Sequence, residues 1–137
     1  MVTNCNFVNN SASDDGVAVS FSCNCKVNNC NFTNNSLTAD DSLGGAVYVW
    51  YNAEFADCNF IGNNASEGSA IYLNAHSGIK RISNSCFLNN KAKVQDLEVI
   101  KNDNNITIVL TGNDNFINAI YINMVIFLIN CDLKNYF

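Results

Sequence analysis

The sequence predicts an all-β fold, a parallel β-helix of about four to five turns. Three observations lead to this prediction: a phrase built on Cys-Asn-Phe recurs, short β-rich runs alternate with turn residues, and no segment carries a sustained helical period. The copies of the phrase, altered progressively toward the C-terminus, are Val2–Phe7, Val27–Phe32, Phe55–Phe60, Ile82–Phe87 and Thr111–Phe116. From one final phenylalanine to the next the steps are 25, 28, 27 and 29 residues, and a period in this range indicates a repeat architecture.

Each repeat contains two apolar segments separated by an Asn-rich turn. In the third repeat the first segment ends at Phe60 and the second is Gly68–Leu73. We expect about three short strands per repeat, and a unit of this size cannot bury its apolar face unless it stacks on its neighbours. Asn accounts for 27 of the 137 residues, which suits a fold made of turns because Asn tolerates the left-handed conformation.

The repeats become less regular along the chain. The second strands of the first four turns are predicted at Gly16–Phe21, Gly44–Val49, Gly68–Leu73 and Asp96–Val99. Turn three leaves its second strand through a longer loop, Asn74–Gly78, and in turn five Ile120–Ile122 follows Phe116 without the usual spacer. We therefore interpret residues 1–137 as a single domain in which residues 100–137 form a degenerate last turn or a cap.

Three sets of side chains are expected to stack in columns, because equivalent residues of stacked turns lie on adjacent strands about 4.8 Å apart. One inward column contains Phe7, Phe32, Phe60 and Phe87, and a neighbouring one contains Cys5, Cys30 and Cys58. A ladder of buried corner amides is expected at Asn10, Asn35, Asn63 and Asn90.

The cysteine column has two interpretations. Stacked cysteines fall inside the distance window for a disulfide, but seven is an odd number and the later repeats place Ser85 and Asp114 at this position. We favour small buried apolar side chains over a disulfide framework. Cys23, Cys25 and Cys30 form only a weak cluster without a nearby His, so no metal or cofactor is predicted.

The net charge of −5 argues against nucleic acid or an anionic membrane as partner. The apolar stretch 120–129 is too short to span a bilayer, which requires about 20 residues. No signal peptide is visible and the chain opens inside a repeat, so we expect a segment of a longer protein whose neighbouring β-helix repeats are partners.

Two motifs alternate in order over about residues 2–99. Gly44–Val47 reads Gly-Gly-Ala-Val, Gly68–Ile71 reads Gly-Ser-Ala-Ile, and a Phe-x-x-Asn motif begins at each phenylalanine of the inward column. This pairing resembles the GGA-[ILV] and FxxN repeats of the polymorphic membrane protein family and is similar to the adhesin-like β-helix proteins of methanogenic archaea. The resemblance implies a right-handed parallel β-helix, a secreted or cell-surface location, and adhesion to cells, their glycans or their proteins.

A carbohydrate-active β-helix, a polysaccharide lyase or hydrolase, is the alternative function. Such chemistry requires clustered carboxylates, or cation-binding acids together with a base. The candidate acids precede the second strands: Asp14, Asp15, Asp40, Asp41 and Glu67. Their loops differ in length and basic partners are scarce, so we interpret them as solvated turn residues. His76, the sole His, is expected at a corner, and Lys80 and Arg81 form a solvated pair, so we predict that the chain is not an enzyme.

Aromatic residues lie within or directly after the predicted second strands of turns two and three. If Val47 and Val49 point inward, Tyr48 and Trp50 point outward, and Tyr72 repeats the position of Tyr48. Exposed aromatic rings stack on sugars and anchor interfaces, whereas surface pairing that stabilises the sheet is the structural alternative. Tyr48, Trp50 and Tyr72 are therefore the candidate ligand surface.

Overall fold

The computed structural model describes residues 1–73, 78–92, 106–111, 120–122 and 126–129. The chain is a parallel β-helix, as predicted: in the described part every strand pairs in parallel with its equivalents in other turns, and no helix is present. Each complete turn contains four strands rather than the three expected, and the strands stack into four sheets, here called A to D in chain order. The extra strand arises because each Phe-x-x-Asn motif bends at its third residue: the sheet B strand ends within the motif, and a separate short strand follows it.

The strands recur in the same order in each turn. Sheet A contains β1 (Val2–Thr3), β5 (Cys25–Asn28), β9 (Ala53–Ala56), β13 (Gly78–Ser83), β16 (Ile106–Thr111) and β18 (Ile126–Ile129). Sheet B contains β2 (Asn6–Val8), β6 (Asn31–Thr33), β10 (Asn59–Ile61) and β14 (Cys86–Leu88). Sheet C contains β3 (Ser11–Ala12), β7 (Ser36–Leu37), β11 (Asn64–Ala65) and β15 (Lys91–Ala92). Sheet D contains β4 (Val19–Phe21), β8 (Val47–Val49), β12 (Ile71–Leu73) and β17 (Ile120–Ile122).

Residues with a left-handed backbone conformation, that is with positive φ, form two of the corners between sheets. The corner between sheets A and B has positive φ in each of the first four turns, at Asn4, Asn29, Asp57 and Asn84. The corner between sheets B and C does the same at Asn9, Asn34, Gly62 and Asn89. Only Gly, Asn and Asp adopt this conformation readily, so the abundance of Asn is explained by a conformational requirement that repeats once per turn at each corner.

The interior is filled by the predicted Phe column. Adjacent rings are stacked in parallel with centroids 4.9 Å apart from Phe7 to Phe32, 4.9 Å from Phe32 to Phe60 and 4.8 Å from Phe60 to Phe87. The last three phenylalanines are completely buried and Phe7, in the first turn, is partly buried. These spacings match the distance between strands, so the rings stack because their backbones are in register.

The cysteine column is also confirmed, and its thiols are free. Cys30 and Cys58 are completely buried and Cys5 is half-buried. The Cys5 N–H points at the Cys30 sulfur at 3.5 Å, and the Cys58 N–H donates to the Ser85 hydroxyl at 3.2 Å. The position therefore requires a small side chain that accepts a hydrogen bond from the preceding turn, which is why Ser replaces Cys without breaking the repeat.

The C-terminal strand β17 (Ile120–Ile122) lies beside turn three in sheet D. It pairs directly with β12, with Ile120 opposite Ile71. The interpretation of residues 100–137 as a degenerate last turn or a cap stays a prediction. The predicted strand Asp96–Val99 and most of the loop Asn74–Gly78 lie outside the described residues.

Candidate functional site

Tyr48 and Tyr72 stack on sheet D, but they do not form the exposed surface that alternation predicts. Their ring centroids are 5.3 Å apart with nearly parallel planes, and Trp50 meets Tyr48 edge to face at 5.4 Å. Tyr48 is only 4% exposed, whereas Tyr72 is partly buried and Trp50 is 37% exposed. Tyr48 therefore stabilises the stack, and of the three predicted residues Trp50 offers the most ring surface to a ligand.

The backbone of the preceding loop explains why Tyr48 is covered. A Cβ atom placed on Gly16 would lie 2.9 Å from the Tyr48 Cβ, so the chain at Gly16 passes directly against this tyrosine. Gly16 also has a φ of 67° and its N–H donates to the Leu43 carbonyl of the next turn. Alternation along the strand gives the direction of a side chain, but it does not reveal a loop that folds over it.

Tyr51 is the exposed aromatic residue that the ligand-surface prediction left out. It follows Trp50 at the exit of sheet D and is 42% exposed. Cys23 occupies the equivalent corner of the preceding turn and is also exposed. Its exposure could have been inferred from the sequence, because Tyr51 follows the end of the predicted second strand Gly44–Val49.

A groove lies immediately after this aromatic pair, on the outer side of sheet A. Its volume is about 380 Å³, and it is lined by Asn24, Cys25, Lys26, Asn52, Ala53, Glu54 and Arg81. The β5, β9 and β13 strands place Lys26, Glu54 and Arg81 at one register position, because Lys26 pairs with Glu54 and Glu54 with Arg81. A row of alternating charge therefore crosses the groove along the axis of the solenoid.

An exposed ion pair forms the first step of this row. The Lys26 ammonium lies 2.8 Å from a Glu54 carboxylate oxygen, and the two side chains are 68% and 46% exposed. The hydrogen bond and the charge of Lys26 lower the pKa of the Glu54 carboxyl below its usual value, and the charge of Arg81 acts in the same direction. Glu54 is consequently ionised at neutral pH and lies between two cations.

A second depression continues along the same face. It has a volume of about 320 Å³, shares Lys26 and Glu54 with the first groove, and extends past Asn28 and Ala56 toward Met1 and Thr3. The two depressions thus flank the Lys26–Glu54 pair. Ligand pockets in proteins usually have volumes of about 300–1,000 Å³, so either depression is large enough to hold one or two small rings.

The acids of the proposed catalytic alternative lie elsewhere, in the loops between sheets C and D. Asp14, Asp40 and Asp41 are exposed, Asp15 and Glu67 are partly buried, and the Asp15 carboxylate accepts a hydrogen bond from the Leu43 N–H at 2.9 Å. Asp15 therefore links two turns. Within the described residues no group of three or more His, Cys, Asp or Glu side chains is close enough to hold a metal ion. His76 lies outside the described residues.

Comparison with protein-family models, with curated proteins and with solved structures gives no match to this chain. The part of the chain that the structure describes also has no helix long and apolar enough to cross a bilayer.

Proposed function

We propose that this chain is a non-enzymatic, adhesin-like β-helix segment of a secreted or cell-surface protein, in which the solenoid is a stiff spacer and its outer side binds glycans or proteins of cells. The observation that carries the proposal is the juxtaposition of two exposed aromatic residues, Trp50 and Tyr51, with a groove lined by amides and charges. Aromatic faces beside polar hydrogen-bonding groups suit the apolar and hydroxylated surfaces of sugars.

The packing of the solenoid supports a structural and binding role. The Phe and cysteine columns fill the interior, where the largest side chains are completely buried. Recognition is therefore left to the outer surface, as in other solenoids, whose extended sides form their binding surfaces. The resemblance of the alternating motifs to those of the polymorphic membrane proteins agrees with this role, with neighbouring β-helix repeats as the partners that extend the spacer.

A glycan and cell-binding assay with matched variants tests the proposal. Tyr51→Ala and Trp50→Ala should weaken retention of the chain on glycan arrays or on cells, because they remove exposed ring surface. Leu88→Ala is the control, since Leu88 is 43% exposed but lies on sheet B, away from the groove. Loss of binding in the control as well, or no binding by the unaltered chain to any glycan or cell, would contradict the proposal.

A further inference from the structure

We propose that the groove on sheet A, lined by Lys26, Glu54 and Arg81, binds an acidic saccharide, a sugar chain that carries carboxylate or sulfate groups. This inference rests on the proposed binding function and specifies the ligand class. It is carried by three observations: the uneven distribution of charge, the spacing of the two cations, and the weak engagement of both cations within the protein.

Charge is segregated between two sides of the solenoid. Five of the acidic side chains that the structure describes precede sheet D, in the loops that hold Asp14, Asp15, Asp40, Asp41 and Glu67. By contrast, Lys26 and Arg81 are two of the four basic residues in the described part of the chain, and both line the groove. In an acidic chain, this face therefore combines two cations with one carboxylate and attracts anions locally.

The register of the strands sets the distance between the two cations. Lys26 and Arg81 lie on β5 and β13, which flank β9. Two strand spacings separate their backbones by about 10 Å. A sugar chain lying along the solenoid axis can present successive acidic groups to the two cations.

Both cations are available to a ligand at little cost. The Lys26–Glu54 pair is exposed, and ion pairs of this kind contribute little to stability, so Lys26 can turn from Glu54 to an incoming anion. Arg81 is exposed and has no ion pair within 4 Å among the described residues; it attracts Glu54 over a longer distance. Its planar guanidinium is suited to a carboxylate or a sulfate, which it can bind through two parallel hydrogen bonds.

The remaining walls of the groove fit the neutral part of such a ligand. Asn24 and Asn52 line the end nearest sheet D and supply amide donors and acceptors that match sugar hydroxyls. Tyr51 and Trp50 directly precede Asn52 in the chain, so an aromatic surface adjoins the charged one. The Glu54 carboxylate repels acidic ligands, so removing its charge should strengthen binding.

Retention of the full chain on immobilised heparin and polygalacturonate, compared with neutral dextran and xylan, tests the inference. We expect the unaltered chain to bind the two acidic polymers and to be released by salt, which screens exposed charges. The double variant Lys26→Gln/Arg81→Gln should bind them about tenfold more weakly, while Glu54→Gln should bind more tightly. Lys91→Gln, which removes one exposed cation on sheet C, is the control for charge, and Lys26→Gln alone is its matched single variant. Thermal melting of each variant establishes that it is folded.

The outcomes separate this inference from the proposed function. Equal losses of binding in Lys91→Gln and Lys26→Gln would show that overall charge attracts the acidic polymers. This result would overturn the assignment of the groove as the binding site. Weaker binding by Glu54→Gln would overturn the assignment of Glu54 as a competing anion and, with it, the proposed site. Binding to neutral polymers that depends on Trp50 or Tyr51, without binding to acidic ones, would overturn the inference and leave the proposed function standing. If no glycan and no cell retains the chain, both are wrong.

Discussion

The side-chain oxygen of Asn63 accepts two hydrogen bonds from Asn35, one from its backbone N–H and one from its side-chain amide, each at 3.0 Å. Asn63 in turn donates to the Phe32 carbonyl at 2.9 Å and to the side-chain oxygen of Asn90 at 2.9 Å. Each corner amide thus binds the backbone of the preceding turn and the amide of the next. Asn35 and Asn63 are completely buried, as predicted, whereas Asn90 is half-buried and Asn10, in the first turn, is exposed.

We expect Asn63→Leu to lower the free energy of unfolding by about 2–5 kcal/mol. The substitution leaves the Asn35 N–H and the Phe32 carbonyl without their partners inside the solenoid, and each stranded buried group costs about 1–3 kcal/mol. Chemical denaturation measures the loss. Asn10→Leu is the matched control: Asn10 is itself exposed and the substitution removes its partly buried side-chain hydrogen bond to Asn35, so we expect less than about 1 kcal/mol. Equal losses at the two positions would contradict the ladder.

Phe60→Ala should destabilise the protein by about 3–5 kcal/mol, the usual range for deletion of a buried aromatic ring. The Phe60 ring is stacked on both sides, by Phe32 and Phe87, and meets Phe55 edge to face at 6.0 Å. Phe7 has a described stacking partner on one side only and is partly buried, so Phe7→Ala should cost clearly less. If denaturation curves gave the reverse order, the Phe column would not be the main source of packing energy.

The stacking of the repeats could be predicted from the sequence because the period fixes register. Once Phe7, Phe32 and Phe60 are aligned, every other column follows, including the cysteines and the corner amides. The number of strands per turn could not be predicted in the same way. The bends at Asn9 and Asn34 depend on a left-handed backbone, and an Asn in the sequence is equally compatible with a turn and with a strand position.

The thiol of Cys58 provides a pH-dependent prediction. Burial raises its pKa to about 11 from an ordinary value of 9.0, because the thiolate would lose its hydration inside the solenoid. The folded state therefore retains a proton that the unfolded state releases, and the contribution of this thiol to stability is complete below about pH 9 and is lost as the pH rises toward 11. We expect this loss to be at most about 2–3 kcal/mol.

Denaturation at several alkaline pH values, compared between the unaltered chain and Cys58→Ser, isolates this effect. Ser is compatible with the position because Ser85 occupies it in the next turn and donates to the Ser83 carbonyl at 2.9 Å. The serine variant should lose less stability between pH 9 and 11, because a serine hydroxyl does not titrate in this range. The other groups that titrate at alkaline pH are the same in both proteins, so the comparison cancels their effect. A thiol-alkylating reagent should modify the exposed Cys23 of the folded chain well before Cys58. Identical pH profiles in the two proteins would contradict the prediction.

The candidate binding surface was only partly predictable from the sequence. Alternation indicated that Trp50 faces outward, but the loop at Gly16 that covers Tyr48 comes from another turn. The row of Lys26, Glu54 and Arg81 was missed because these residues belong to three repeats and resemble isolated surface charges when each is read alone. Alignment of the repeats would have revealed it, since the register that stacks the phenylalanines also stacks these charges.

Calcium distinguishes the adhesin-like function from the carbohydrate-active alternative. If Asp14, Asp15, Asp40, Asp41 and Glu67 are turn residues, millimolar Ca²⁺ should leave the melting temperature unchanged and no unsaturated or reducing ends should be released from acidic polysaccharides. A cation that binds only the folded state would raise stability by mass action.

Replacing the four aspartates with Asn and Glu67 with Gln should preserve the fold, because an amide in place of the Asp15 carboxylate keeps a side-chain oxygen that can accept a hydrogen bond from the Leu43 N–H. Asp15→Ala, which removes that oxygen, should cost about 1 kcal/mol. A Ca²⁺-induced rise in melting temperature that disappears in the fivefold variant would contradict the adhesin-like proposal and favour the enzyme.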